Sequence, residues 1–477
     1  MQLYQDVRTR LVWLREMTTG YPAGTSTLME SHMGRLVIVM RQLIQTVVTL
    51  VVLPAVATTT LAGDIRQKPW APEIVAAGPS NEPSIVRLPD GTLKIFWIVK
   101  GKHCASMSSH DDGMTWGKPV VEFSVPEHAY FTTRAMLDRE GELHVCFLVG
   151  RGVGNRRPAV DLFYDIWHAK TTGQRTKWRQ PKRIFAGYVG ALRSLIQLRS
   201  GRLLLPFGKW LSTTDQKQTT GSNEVHILYS DDAGESWKEA PAALTAPVKP
   251  RGGQIGAVEP TALELSDGRI WMLIRTDTGR LYESFSRDGL VWTPAVASRF
   301  TSSESPARLL RLPDGRIVLF WNNCQELVPP PGHRYSAYSG RDVLHAAISD
   351  DEGRTWRGFR EILRDPKRNE TPPRRGDRGT AYPDAVATAT GSIVVVTGQG
   401  DGRRVIVRFH PDWLCETSQS DDFSNGLDQW CVFQAVGPLE YVWRDRVPGP
   451  KLVSHPTKKG RRVLLVRRDT GRDGDGA

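Results

Sequence analysis

Cysteine is scarce in this chain: there are five in 477 residues, an odd number. No Cys or His spacing matches a zinc site, so neither a structural zinc nor a metal cofactor is expected. Nucleic-acid signatures are also missing. The formal charge of +12 comes without an aromatic-interleaved RNP run, a helix-turn-helix or finger spacing, which excludes nucleic acid as the expected partner. Much of the basic excess sits in Arg364–Arg378 and Lys451–Arg472, which read as a long loop and a solvated tail. No apolar run has the length of a membrane span. What the chain does have is 44 glycines and 31 prolines beside a hydrophobic fraction of 40%, the balance of a packed protein with many tight turns.

Near the N-terminus Arg41 precedes the apolar run Val47–Leu53, and small residues follow up to Thr60-Leu61-Ala62. That is the order of a secretory signal: a positive region, a short apolar region and a cleavage site, placed here after Ala62. Residues 40–62 are therefore expected to be a signal peptide, with residues 1–39 an overrun upstream of the true start. The expected location is secreted or periplasmic, with a membrane anchor as the lesser alternative. In an oxidising compartment Cys415 and Cys431, both beyond the repeats described next, are the pair positioned to bridge. Cys104, Cys146 and Cys324 fall in predicted strands as buried thiols.

One motif recurs. Ser109-His110-Asp111-Asp112-Gly113-Met114-Thr115-Trp116 returns as Ser230–Trp237 and as Ser349–Trp356, with a shortened copy at Ser286–Trp292 and a worn one ending at Thr176-Lys177-Trp178. The chemistry is that of a locked turn. An Asp accepts turn N–H groups, the Gly supplies positive φ, and the Trp packs between sheets. In step with it runs a second pattern of apolar strand, X-Gly turn and apolar strand. Its turn glycines are Gly91, Gly141, Gly201, Gly268, Gly315 and Gly391. Each reads as a hairpin. Six sheets of this kind cannot bury both faces alone, and radial stacking solves that.

Boxes alternating with hairpins resemble the bacterial neuraminidase repeats of the sialidase superfamily, over roughly Trp70 to Leu414. The resemblance implies an all-β fold, a six-bladed β-propeller of the sialidase type spanning residues 70–414. Beyond it, Asp421–Trp430 resembles the opening strand of a concanavalin-like sandwich. Residues 415–477 are thus expected as a partial C-terminal β-sandwich-like domain or a partly ordered tail.

The register of the hairpins locates a candidate site. Eight residues before the turn residues Asp90, Asp267 and Thr390 stand Glu82, Glu259 and Tyr382, each followed by proline. Equivalent positions on the innermost strands converge on the channel mouth, so two carboxyls and a phenol are expected to face one cavity. The sialidase resemblance then implies roles. Tyr382 is the nucleophile, Glu259 its base, and Arg275 a clamp for a substrate carboxylate, with Arg193 and Arg308 as further substrate-binding arginines. A phenol activated by a carboxylate suits a substrate that is itself carboxylated at the reacting carbon, because a carboxylate nucleophile is repelled there.

The chain departs from the family at Asn81-Glu82-Pro83, where a sialidase has Arg-Ile-Pro. Lys100-Gly101-Lys102-His103 occupies the region of the usual acidic general acid. Glu82, Asp384 and His128 are the candidates for that acid. The reading that follows is a secreted, sialidase-like retaining glycoside hydrolase acting on terminal sugars of glycans, acidic ones foremost. The alternative is a non-catalytic glycan-binding propeller, and no cofactor is called for in either.

Overall fold

The computed structural model describes residues 70–80, 82–151, 163–212, 219–241, 243–248, 255–323, 340–366, 379–399, 404–416, 433–435, 441–443 and 451–465. The expected signal segment, Asn81, Cys324, residues 367–378 of the basic loop and Cys431 lie outside these. Cys104 and Cys146 are buried thiols, and Cys415 is a half-buried free thiol.

Six antiparallel sheets form the blades of a propeller. Blade 1 runs outward as Ser84–Arg87, Leu93–Val99, His103–Ser109 and Val120–Ser124. Blade 2 uses Ala129–Leu137, Leu143–Arg151, Phe163–Thr172 and Lys182–Phe185. Blade 3 begins with Val189–Leu192 and continues through Leu203–Ser212, Thr219–Ser230 and Lys238–Glu239. Blade 4 is Val258–Glu264, Ile270–Arg275, Arg280–Ser286 and Val296–Thr301. Blade 5 is Arg308–Arg311, Ile317–Trp321, Val343–Ser349 and Arg357–Arg364. Blade 6 takes Asp384–Ala387, Ile393–Thr397 and Val405–Phe409 from the end of the repeats, and its outer strand is Glu73–Ala77 from the beginning. That exchange closes the ring, and the inner strands of blades 1 and 6 lie side by side.

Period-two alternation explains the stacking, since successive side chains of a strand face opposite neighbours. In blade 1, Leu93, Ile95 and Trp97 pack with Val394, Val396 and Ile406 of blade 6. Phe96 and Ile98 between them pack with Val145 and Phe147 of blade 2. The same division recurs around the ring, as in Trp271 and Leu273 against Leu319 and Trp321. A strand buried on both faces must be nearly continuously apolar, as in Leu93–Val99 and Ile317–Trp321.

The boxes lock each blade to its predecessor. In the first, Asp111 Oδ1 accepts from Ser109 Oγ at 2.8 Å and from Thr115 N at 2.9 Å. Gly113 N donates to Ser109 Oγ at 2.9 Å, and Trp116 Nε1 to Gly113 O at 3.1 Å. The other full copies repeat the Asp-centred bonds around Asp232 and Asp351. These hydrogen bonds, led by the Thr115, Ser236 and Thr355 hydroxyls, bring all three Asp carboxyls down to about 2. Trp116 packs toward blade 6, Trp237 toward blade 2, Trp292 toward blade 3 and Trp356 toward blade 4.

After the propeller, a 3₁₀ turn at Pro411–Cys415 is followed by two short antiparallel hairpins, Phe433–Ala435 with Tyr441–Trp443 and Lys451–Ser454 with Arg462–Leu465. Among the described residues no helix is long and apolar enough to cross a membrane.

Candidate active site

Where an inner strand enters the propeller, its first residues face the axis beside those of the other blades. The chain turns sharply at these entries. Thr132, Glu259 and Tyr382 have φ of +73°, +45° and +66°, a region that non-glycine residues rarely enter. All three stand at the same offset, eight residues before the hairpin turn residues Glu140, Asp267 and Thr390. In blades 2 and 4 the pairing with the next strand shifts register here, between Ala129 and Thr133 and between Val258 and Thr261. Such irregularities re-aim a side chain out of the ladder, in this case toward the axis.

Glu82, Glu259 and Tyr382 come together as the centre of a charged cluster, all three buried. Arg275 binds it from blade 4. One of its terminal nitrogens donates to Glu259 Oε2 at 2.5 Å and reaches Tyr382 Oη at 3.4 Å. The phenol oxygen and that carboxylate oxygen therefore lie no further apart than about 5.9 Å, the two contacts laid end to end. Its other terminal nitrogen donates to Glu304 Oε1 at 2.9 Å. Arg193, from the end of the blade 3 inner strand, pairs with Glu82 Oε2 at 3.5 Å and donates to Pro383 O at 2.9 Å. Its guanidinium lies 5.0 Å from the Tyr382 ring centre, and that of Arg341 lies 5.3 Å away. Arg341 donates to Gln399 Oε1 at 2.5 Å and to the Glu304 carbonyl at 2.5 Å.

Burial shapes the protonation of these groups. It pushes the Glu82 carboxyl above its ordinary range, against the pull of Arg193 and with a push from Glu259. Burial likewise raises Glu304 against Arg275. The Tyr382 phenol is driven up by burial and by Glu259, with Arg341 and Arg275 opposing. Burial disfavours charge on Arg275 as well, but Glu259, Tyr382 and Glu304 outweigh it and hold the guanidinium firmly protonated.

Two expected site residues go elsewhere. Asp384 and Arg308 stand six residues before their hairpin turns, one step deeper along the channel than the cluster. There a set of hydrogen bonds ties neighbouring blades. Ser84 Oγ accepts from Ala135 N at 2.9 Å, Ser194 Oγ from Ala262 N at 3.2 Å, and Thr261 Oγ1 from Leu309 N at 3.3 Å. Asp384 ties blade 6 to blade 1 by accepting from Ile85 N at 3.1 Å and Ser84 Oγ at 2.7 Å. The equivalent residues of blades 2 and 5 are Arg134 and Arg308, which cannot accept, and both pair with Asp384, at 3.6 and 2.9 Å. Arg308 is thus paired with Asp384 in this deeper layer. His128 is exposed at the entry to blade 2.

The sequence reading missed Arg341, Glu304 and Thr132. Thr132 was legible, because it occupies the offset that found Glu82, Glu259 and Tyr382. Its hydroxyl donates to Glu82 Oε2 at 3.0 Å. Glu304 lies two residues before the corresponding position, Pro306, and Arg341 follows an insertion that breaks the register. Among the described residues no group of His, Cys, Asp and Glu is arranged to hold a metal ion.

The fold is a six-bladed propeller of the sialidase type. The family model of the BNR repeat-like domain matches residues 133–395, more than half of the chain. The protein belongs to that family. Among solved structures it is similar to the Hadza microbial sialidase Hz136, with 15% identity and a TM-score of 0.51 over 69% of this chain. The match spans 65% of that sialidase's length. A Dyadobacter fermentans protein of unknown function is matched over 98% of its length and 72% of this chain, at 16% identity and a TM-score of 0.51. The NanB sialidase of Streptococcus pneumoniae is similar over 72% of this chain and 71% of its own, at 15% identity and a TM-score of 0.50. No curated protein sequence matches the chain. Identities at this level speak for the fold, and the site must speak for the chemistry.

Proposed function

We propose that the protein is a retaining glycoside hydrolase of the sialidase type, exported from the cell, that removes terminal sugars from glycans. The observation that carries this reading is the convergence of Tyr382, Glu259 and Glu82 on one buried, arginine-rich axial site. Tyr382 Oη attacks the anomeric carbon while its proton passes to Glu259. The bond from that carbon to the leaving-group oxygen breaks, and Glu82 gives this oxygen its proton. A raised carboxyl keeps such a proton at mild pH, which suits Glu82 to the task. Water then attacks the same carbon and gives a proton to Glu82. The Tyr382 oxygen leaves and recovers its proton from Glu259. The sum is one glycoside and one water converted to a free sugar and an alcohol.

Arg275, Arg193 and Arg341 supply the positive face on which the phenolate forms, and they are the groups available to an acidic sugar. A substrate carboxylate entering here competes with Glu259 and Glu304 for Arg275, so the site must rearrange to grip it in a fork. A second reading, a glycan-binding propeller without turnover, is favoured by one observation: Arg275, rather than Tyr382, holds Glu259 at hydrogen-bond distance. The test is hydrolysis of a fluorogenic sialoside and of a panel of neutral fluorogenic glycosides by wild type and Tyr382→Phe. Turnover that falls at least about a thousandfold in the variant supports the enzyme. Glycan binding without turnover of any panel member supports the second reading.

A further inference from the structure

The entry to blade 2 holds a threonine where three other blades hold Glu82, Glu259 and Tyr382. Thr132 is fully buried and has φ of +73°. A β-branched residue in that region is a genuine outlier, because its branched Cβ crowds the backbone. Strain of this kind persists only where the surroundings over-determine it, and it gathers at functional sites. Three features hold Thr132 in place. The pairing of Ala129–Leu137 with its neighbour shifts register around it. The next residue, Thr133, donates its backbone N–H to Glu82 O at 3.0 Å. Arg134 reaches Pro83 O at 3.3 Å. Blade 2 thus grips two successive carbonyls, those of Glu82 and Pro83, and the Thr132 hydroxyl is delivered to the carboxylate itself.

We infer that Thr132 is a positioning residue for Glu82, holding its carboxyl toward the axial site through the strained entry to blade 2. The hydroxyl donates to one carboxylate oxygen, Oε2, which also faces Arg193. The other oxygen, Oε1, is left to carry the acid proton toward the reacting bond. A hydroxyl donating to the ionised form also moderates the rise that burial imposes on Glu82. The remaining charged or titratable groups that act on Glu82 are Arg193, Arg404, Glu259 and Tyr382. None of them is altered by changing Thr132. The role of Glu82 as acid rests on the glycosidase reading, whereas the coupling of Thr132 to Glu82 does not.

Three variants separate positioning from simple packing. Thr132→Val keeps the shape and the strain but loses the hydroxyl. Thr132→Ser keeps the hydroxyl. Thr132→Gly relieves the strain and loses both. The first readout needs no activity: the Glu82 carboxyl is titrated by carbon-detected NMR with labelled glutamate, its signal assigned by loss in Glu82→Gln. Thr132→Val should raise the Glu82 pKa by about half a unit or more, and Thr132→Ser should restore it. Thr132→Gly should melt at or above the wild-type temperature while its Glu82 shifts as in Thr132→Val. The second readout is the pH–rate profile on a hydrolysed glycoside. Its alkaline limb, where an acid must stay protonated, should move up in Thr132→Val and return in Thr132→Ser. An unmoved Glu82 titration in both Thr132→Val and Thr132→Gly overturns the inference, whatever the activity. A moved titration without turnover in the wild type upholds the coupling and removes the glycosidase reading alone.

Discussion

Adding one methyl group to a box glycine tests how tightly the blades are locked. Gly113 and Gly315 have nearly the same backbone, with φ of +88° and +92°. An alanine at either position bears the same left-handed penalty, about 1–2 kcal/mol. Their surroundings differ. A Cβ on Gly113 falls 2.6 Å from Val394 Cγ2 and 3.3 Å from Leu93 Cδ1, inside the seam between blades 1 and 6. Val394 lies in a fully buried strand, and its branched side chain is stiff at χ1 and yields poorly. Overpacking of this kind costs about 1–3 kcal/mol more. A Cβ on Gly315 meets nothing within 4 Å. Gly113→Ala should therefore lose about 2–5 kcal/mol, and Gly315→Ala only about 1–2 kcal/mol. The strain cancels in the comparison, so the difference reports the seam. Guanidinium unfolding followed by circular dichroism, with both variants measured beside the wild type, gives the two losses. Equal losses would refute the idea that box glycines are there to let consecutive blades close on one another.

Further outcomes follow from the buried charges. Arg275→Met leaves Glu259 and Glu304 without their shared cation and should cost about 3–5 kcal/mol in the same unfolding assay; a loss below about 1 kcal/mol would contradict the pairing. Asp384→Asn should destabilise the propeller with little effect on residual activity per folded molecule, since its partners are Arg308, Arg134 and Ser84 rather than the Tyr382 cluster; a variant that is stable but dead would return Asp384 to the chemistry. At the seam of blades 2 and 3, His144 bridges Asp138 at 2.9 Å and His168 at 3.0 Å. Burial, reinforced by His144 and Lys170, pulls His168 well below its ordinary value. The unfolded chain therefore binds the proton first, and the stability from neutral His168 is complete above about pH 6.5 and declines as pH falls toward the folded value, by at most about 1.4 kcal/mol per unit. His168→Gln should flatten the stability slope between pH 6.5 and 5, and an unchanged slope would contradict the burial argument.

The propeller was legible because its devices repeat. The boxes around Asp111, Asp232 and Asp351 and the turns at Gly91 through Gly391 each recur with the same local physics, so one copy validates the next. The offset that brought Glu82, Glu259 and Tyr382 into one cluster worked for the same reason: residues equally far from the hairpin turn along the inner strands lie at equal depth. That offset was also good for Thr132, whose plain residue type concealed it. Roles were less legible than positions. Arg308 and Asp384 have the residue types of a substrate clamp and an acid, yet a shift of two residues along the strand sets them in a deeper layer, where they pair with each other. Arg341 and Glu304 were hidden because one follows an insertion and the other stands just ahead of its strand, so no periodicity marks them. Which carboxylate partners which guanidinium is decided by distances between blades, and a linear pattern does not carry those.

The most direct test of the central claim is to find which side chain the sugar is transferred to. The protein is incubated with a fluorinated glycosyl fluoride of whichever sugar the panel shows it to release, which slows the second step, and the adduct is mapped by peptide mass spectrometry. The account predicts one sugar on the peptide containing Tyr382, absent in Tyr382→Phe. A sugar on Glu259 or Glu82, or steady turnover that leaves no covalent adduct at all, would contradict it.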